Sequence, residues 1–220
     1  MIADAPTLQT LLPPVMLSCA AVAALVFSDI KQIRAGRYLC KPLAAAAFVW
    51  LAIILDAPAT GYGSWLLAGL ICCLLGDLLL MPDSERSFLA GLVAFLCGHL
   101  LYAVAFLHLP GNLWGLVATS LPAMVVLVFA TRWLAPHLQR DMKAPVALYT
   151  LVITVMLLCA GLSAGHPAAT LIIMGAWGFA ISDLAVARQQ FAQPSWLNGA
   201  WGTPLYFLSQ MLLAGSAAFA

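Results

Sequence analysis

Charge is what this sequence has least of. Its 220 residues include nine Lys and Arg, eight Asp and Glu, and a single glutamate, Glu85. With 64% hydrophobic residues, 8% charged residues and a mean hydropathy of +1.03, a compact chain has too little polar surface to stay in water. A soluble globular domain is excluded and the bilayer is the solvent. Cysteine is sparse and unpatterned. Cys19, Cys40, Cys72, Cys73, Cys97 and Cys159 are scattered through apolar segments with no CxxC spacing. Neither a zinc site nor a disulfide framework is indicated, and all six read as packing residues. No apolar segment contains a glutamate, which excludes HExxH metalloprotease chemistry. Of the four histidines only His99 falls inside an apolar segment, so a haem would lack an axial pair. No metal or cofactor is expected, and a net charge of +1 gives no reason to expect nucleic acid.

What is present is a series of apolar runs. A transmembrane helix needs roughly 17 to 25 mainly apolar residues. Eight segments qualify: Pro13 to Asp29, Leu39 to Leu55, Ser64 to Met81, Phe88 to Leu107, Asn112 to Trp133, Pro145 to Ser163, Ala168 to Ala187 and Ala200 to Ala218. The expected fold is an all-α polytopic membrane bundle forming a single domain over residues 1–220. No run of residues reads as a long linker. The first segment has nothing basic before it and Lys31, Arg34 and Arg37 after it, the reverse of a signal peptide, so it is expected to be a mature helix.

Basic residues set the expected orientation. Lys31, Arg34, Arg37 and Lys41 lie between segments one and two, and Arg86 between three and four. Arg132, Arg140 and Lys143 lie between five and six, and Arg188 between seven and eight. All nine fall on one side, so the positive-inside rule places that side in the cytoplasm and both termini outside. Trp65 and Trp114 near the outer boundary, and Trp133, Trp196 and Trp201 near the inner one, read as interfacial belts. Compact loops on a short chain suggest a bacterial inner membrane.

Two carboxylates stand where the bilayer disfavours them. Asp77 and Asp183 each lie roughly 6 to 8 Å inside the cytoplasmic boundary, counting about 1.5 Å per residue. An acid facing lipid costs about 2.5 to 3.5 kcal/mol even on mild scales, so both are expected to face the bundle interior. Gly76-Asp77-Leu78 and Ser182-Asp183-Leu184 recur half a chain apart in the same orientation, which suggests a four-plus-four helix repeat. Lys41, Tyr149 and Tyr206 come to the same level and could line one cytoplasm-facing cavity, Lys41 beside a helix N-terminus suiting a phosphate. Asp29 reads as a boundary residue paired with nearby cations. His99 lies near the midplane, with Tyr102 on the adjoining turn. Gly161-Leu162-Ser163-Ala164-Gly165 matches G-x-S-x-G by letter, but a membrane helix precedes it where a nucleophile elbow needs a strand.

Lys41-Pro42-Leu43, Gly76-Asp77, the stretch carrying Gly91, Phe95, His99 and Tyr102, and Ser182-Asp183-Leu184 together resemble the YhhN-like lysoplasmalogenase family. The resemblance spans nearly the whole chain and includes the count of eight helices. It implies hydrolysis of the vinyl ether bond of lysoplasmalogens, giving a fatty aldehyde and a glycerophospho-base, with Asp77 and Asp183 catalytic. Such hydrolysis protonates an alkene carbon, adds water to the oxocarbenium ion and collapses a hemiacetal, so it needs both an acid and a base. Two close carboxylates in a low-dielectric site do not both ionise easily, which leaves one as proton donor. Lys41, Tyr149, Tyr206, His99, Tyr102 and Ser182 are the expected substrate-contacting residues, and the partners are the lysophospholipid and the surrounding lipid. The alternative is a proton-coupled transporter, for which Pro122 would supply a kink, although both acids lie near one face.

Overall fold

The structure is a computed structural model that describes residues 7–219. Eight long helices account for most of it: α1 (Leu8–Ile30), α2 (Arg34–Ile54), α3 (Gly61–Leu79), α4 (Glu85–Phe106), α5 (Leu113–Leu134), α6 (Arg140–Leu162), α7 (Ala169–Ala187) and α8 (Trp196–Gly215). Seven are long and apolar enough to cross a membrane. The eighth, α8, has 20 residues but spends several on interior polar groups, Asn198, Ser209 and Gln210 being buried. Each expected segment corresponds to one helix, and α1, α2, α6 and α8 begin a turn or more before their apolar run. Backbone groups crossing the polar interface still need partners, and continuing the helix supplies them. Basic residues assigned to loops therefore sit on helical turns, as Arg34 and Arg37 do in α2 and Arg140 and Lys143 in α6.

Side-chain caps start four of the helices. Thr60, Ser84, Asn112 and Ser195 accept from the first free amides of α3, α4, α5 and α8. Gly165, at φ +89°, makes the turn between α6 and α7. The pairs α1–α2, α3–α4, α5–α6 and α7–α8 pack as antiparallel hairpins, and glycines bring α3 and α4 close. A Cβ at Gly69 would lie 2.5 Å from the Tyr102 ring, and one at Gly98 would lie 2.7 Å from Cys73 Sγ, so α3 and α4 touch backbone to backbone.

The core is continuous and mostly Ala, Leu and Phe, with Phe48, Phe106, Phe179 and Phe207 fully enclosed. Large apolar side chains also cover the outside, notably on α5, where Leu113, Val117 and Leu121 are all more than 60% exposed. That distribution is inverted relative to a soluble protein and is the one lipid stabilises. Trp65, Trp114, Trp196 and Trp201 are all exposed near helix ends, where an amphipathic ring meets the headgroup level.

Candidate active site

Both aspartates line one cavity of about 400 Å³ at the end of the bundle where odd-numbered helices finish and even-numbered helices begin. That volume lies within the usual range for a small-molecule site. Its walls are mainly aliphatic and aromatic, with Leu25, Phe88, Leu92 and Phe95 among them, while Asp29, Gln32, Arg37 and Gln190 supply polar groups from the helix ends. An apolar interior with a polar end suits an amphipathic ligand.

Asp77, near the end of α3, is 2% exposed. Lys41 Nζ, from α2, lies 3.2 Å from its Oδ1, and the Tyr206 hydroxyl, from α8, donates to its Oδ2 at 2.7 Å. A buried carboxylate needs such partners, because desolvation without them costs several kcal/mol by the usual order of magnitude. The Lys41 ammonium is thus held against Asp77, whereas its sequence position suggested a phosphate.

Asp183, on α7, has a different set of partners. The Tyr149 hydroxyl, from α6, donates to its Oδ2 at 3.1 Å, and His99 Nε2, from α4, lies 3.3 Å from the same oxygen. The His99–Asp183 separation is within ion-pair range, yet Nε2 has no partner in hydrogen-bond geometry and is sealed from solvent. His99 Nδ1 lies 2.7 Å from the carbonyl of Phe95, and the ring stacks on Phe179 with centroids 4.2 Å apart.

The partners follow a pattern across the chain. Each aspartate is met by the second helix of its own half and by the fourth helix of the other half. Asp77 takes Lys41 from α2 and Tyr206 from α8, while Asp183 takes Tyr149 from α6 and His99 from α4. Three of the contributing helices carry a proline close to the functional residue: Pro42 beside Lys41, Pro145 one turn before Tyr149, and Pro204 two residues before Tyr206. A proline inside a helix leaves the carbonyl one turn earlier without its amide partner.

The remaining expected residues are placed as follows. Ser182 lines the cavity, with its hydroxyl donating to Phe179 O at 2.7 Å. Tyr102 is fully buried outside the cavity lining, and its hydroxyl donates to Gln210 Oε1 at 2.6 Å. Asp29 pairs with Arg37 at 2.9 Å at the polar end of the cavity. The Ser163 hydroxyl of the G-x-S-x-G stretch is buried and donates to Ala160 O, consistent with a helix end. Among the described residues no three His, Cys, Asp or Glu side chains cluster closely enough to hold a metal ion.

Sequence reasoning missed two features. Gln210 and Asn198 are fully buried polar residues; an amide inside an apolar run was the signal for Gln210, and Asn198, just before that run, had none. A π-helical turn, Arg188–Ala192, follows α7 and places Gln189, Gln190 and Phe191 on the cavity wall. Turns of this type gather at functional sites, but they have no sequence signature.

Comparison with known proteins places the chain in a family. The YhhN family matches residues 36–217. Lysoplasmalogenase TMEM86B of Homo sapiens is 31% identical over 226 residues, covering 98% of this chain and 89% of that protein. The protein of the same name from Rattus norvegicus is 31% identical over 219 residues, covering 96% and 85%. That of Sus scrofa is 32% identical over 187 residues, covering 83% and 75%. No solved structure matches the chain. With a family match over most of its length and relatives above 30% identity along nearly all of it, this chain belongs to the YhhN family.

Proposed function

We propose that the protein is a membrane lysoplasmalogenase that hydrolyses the vinyl ether bond of lysoplasmalogens with Asp77 and Asp183 as its acid/base pair. The products are a fatty aldehyde and a glycerophospho-base. The observation that carries the reading is the pair of carboxylates on one amphipathic cavity, in a chain whose relatives are named lysoplasmalogenase. The alkenyl chain lies along the apolar wall formed by residues such as Leu92 and Phe95, and the glycerophosphate lies toward the polar end. Arg37 is the more open cation at that end: its Nε pairs with Asp29 but its side chain stays 45% exposed, whereas Lys41 is 19% exposed and lies against Asp77. The excess of Lys and Arg at these helix ends supports a cytoplasmic position for this side of the bundle.

The chemistry needs a proton donor, a carboxylate to stabilise the oxocarbenium ion, and water held beside it. Two carboxylates with unlike partners meet the first two needs. Both acids lie near one end of the bundle, which supports hydrolysis over transport, since carriers place coupling groups near the midplane. The test is aldehyde release from a detergent-solubilised lysoplasmalogen by purified protein. Wild type is expected to release aldehyde, and folded Asp77→Asn and Asp183→Asn variants to lose at least about 10²-fold in rate. Undiminished turnover by either variant would remove that residue from the mechanism.

A further inference from the structure

We infer that His99 and Asp183 hold one proton between them and deliver it as the acid of the reaction, while Asp77 stays ionised throughout. The inference rests on the hydrolase reading above and divides its two carboxylates by role.

The carbonyl oxygen of Phe95, 2.7 Å from His99 Nδ1, can only accept, so Nδ1 carries a hydrogen. In a neutral imidazole Nε2 is then a bare acceptor. It faces Asp183 Oδ2 at 3.3 Å in a position closed to solvent. Opposed lone pairs in a buried site are costly, because no water reaches Nε2 to relieve them. One proton between the groups removes the conflict, either as imidazolium against carboxylate or as carboxylic acid against imidazole. The ring is held in place by the Phe179 stack and by Tyr149, whose ring packs edge-on with centroids 5.3 Å apart.

The two oxygens of Asp183 are used differently. Tyr149 and His99 both address Oδ2, so Oδ1 has no protein partner among the described residues and is left to the cavity. Asp77 is arranged in the opposite sense. The Lys41 ammonium stands at one of its oxygens and the Tyr206 hydroxyl donates to the other, and both contacts favour the anion.

The cycle balances with these roles. The pair passes its proton through Asp183 to the alkene carbon next to the ether-bearing carbon, and the π electrons form that C–H bond. The resulting oxocarbenium ion is stabilised by Asp77. Water adds to the cationic carbon, and its surplus proton returns to the His99–Asp183 pair, which is again short of one. The hemiacetal then breaks its bond to the glycerol oxygen, and its hydroxyl proton moves to that oxygen. One water is consumed, one aldehyde and one alcohol are formed, and the pair is restored. His99 acts through Asp183 and is a positioning residue.

The proton is read directly by ¹⁵N NMR of the histidine-labelled full-length protein in detergent, with His99 assigned by its loss in His99→Gln. The expected result is a protonated Nδ1 across the range in which free imidazole titrates. The Nε2 signal should be displaced from that of a bare neutral ring and should return to it in Asp183→Asn. An unprotonated Nδ1, or an Nε2 signal that Asp183→Asn leaves unchanged, would overturn the assignment. In the aldehyde assay His99→Gln should lower kcat about 10²-fold with KM within about twofold. It should also move the high-pH fall of the rate. The other titratable groups around the pair are Tyr149 from α6, Cys73 and Asp77 from α3, Tyr206 from α8 and Lys41 from α2, and the variant leaves all of them in place. A wild-type kcat and pH profile in His99→Gln would also overturn the inference. If wild type releases no aldehyde, the hydrolase reading fails, and the NMR result still decides where the proton lies.

Discussion

At the scale of single residues, Asp77 depends most on its partners. It is 2% exposed and balanced by one ammonium, so Lys41→Met would leave an uncompensated buried carboxylate, a change that typically costs about 3 to 5 kcal/mol. Thermal unfolding in detergent should fall markedly, and aldehyde release should be lost. Tyr206→Phe removes only one hydrogen bond to a charged group, worth about 1.5 to 3 kcal/mol. That variant should stay folded and turn over roughly 10- to 100-fold more slowly, since each 1.36 kcal/mol is about tenfold in rate. Asp77 and Asp183 were legible in the sequence because an acid inside an apolar run is conspicuous. Lys41, Tyr149 and Tyr206 were legible only as residues of similar depth, and His99, read as lying near the midplane, was not legible as a partner of Asp183. Nothing local to Lys41 announces that it will meet a carboxylate 36 positions later, and nothing local to Tyr102 announces Gln210.

At the scale of helices, the hairpin of α3 and α4 is held by glycines seven residues apart on each strand of the pair, Gly69 and Gly76 facing Gly91 and Gly98. Two turns of helix separate such positions, so each pair lines one face. A Cβ at Gly76 would lie 2.8 Å from the Phe95 ring, and one at Gly91 would lie 2.7 Å from Leu80. Gly98→Leu should therefore destabilise by about 1 to 3 kcal/mol through overpacking and should reduce activity as well, because it sits beside His99. Gly111→Ala, whose Cβ would meet only Leu162 at 3.9 Å, should change neither unfolding temperature nor rate. The eight helices could be read from apolar length alone, since the bilayer imposes it. Their starts could not, because several helices begin in the interface a turn before the apolar signal does. The polarity of α8 follows from the groups it buries, such as Tyr206 and Gln210, which lower its hydropathy while placing it in the interior.

At the scale of the whole molecule, lipid replaces water as the medium that exposed Leu, Val and Trp side chains face. The orientation inferred from charge has a direct check. In a background lacking the six native cysteines, an impermeant maleimide applied to intact cells should label a cysteine at Asn112, between α4 and α5, and should spare one at Arg140, at the start of α6. The reverse pattern would turn the cavity outward.

The crossed partnership of the two halves bears on how the protein is made. A ribosome delivers α1–α4 before α5–α8, so for a time Asp77 has Lys41 but no Tyr206, and His99 has no carboxylate to share a proton with. The first half inserts with two polar groups waiting inside it, and the second half arrives with Asp183 in the same condition. Joining the halves satisfies both at once. On the proton-sharing proposal, proper assembly and a competent acid are one event, and a chain that stalls midway has neither.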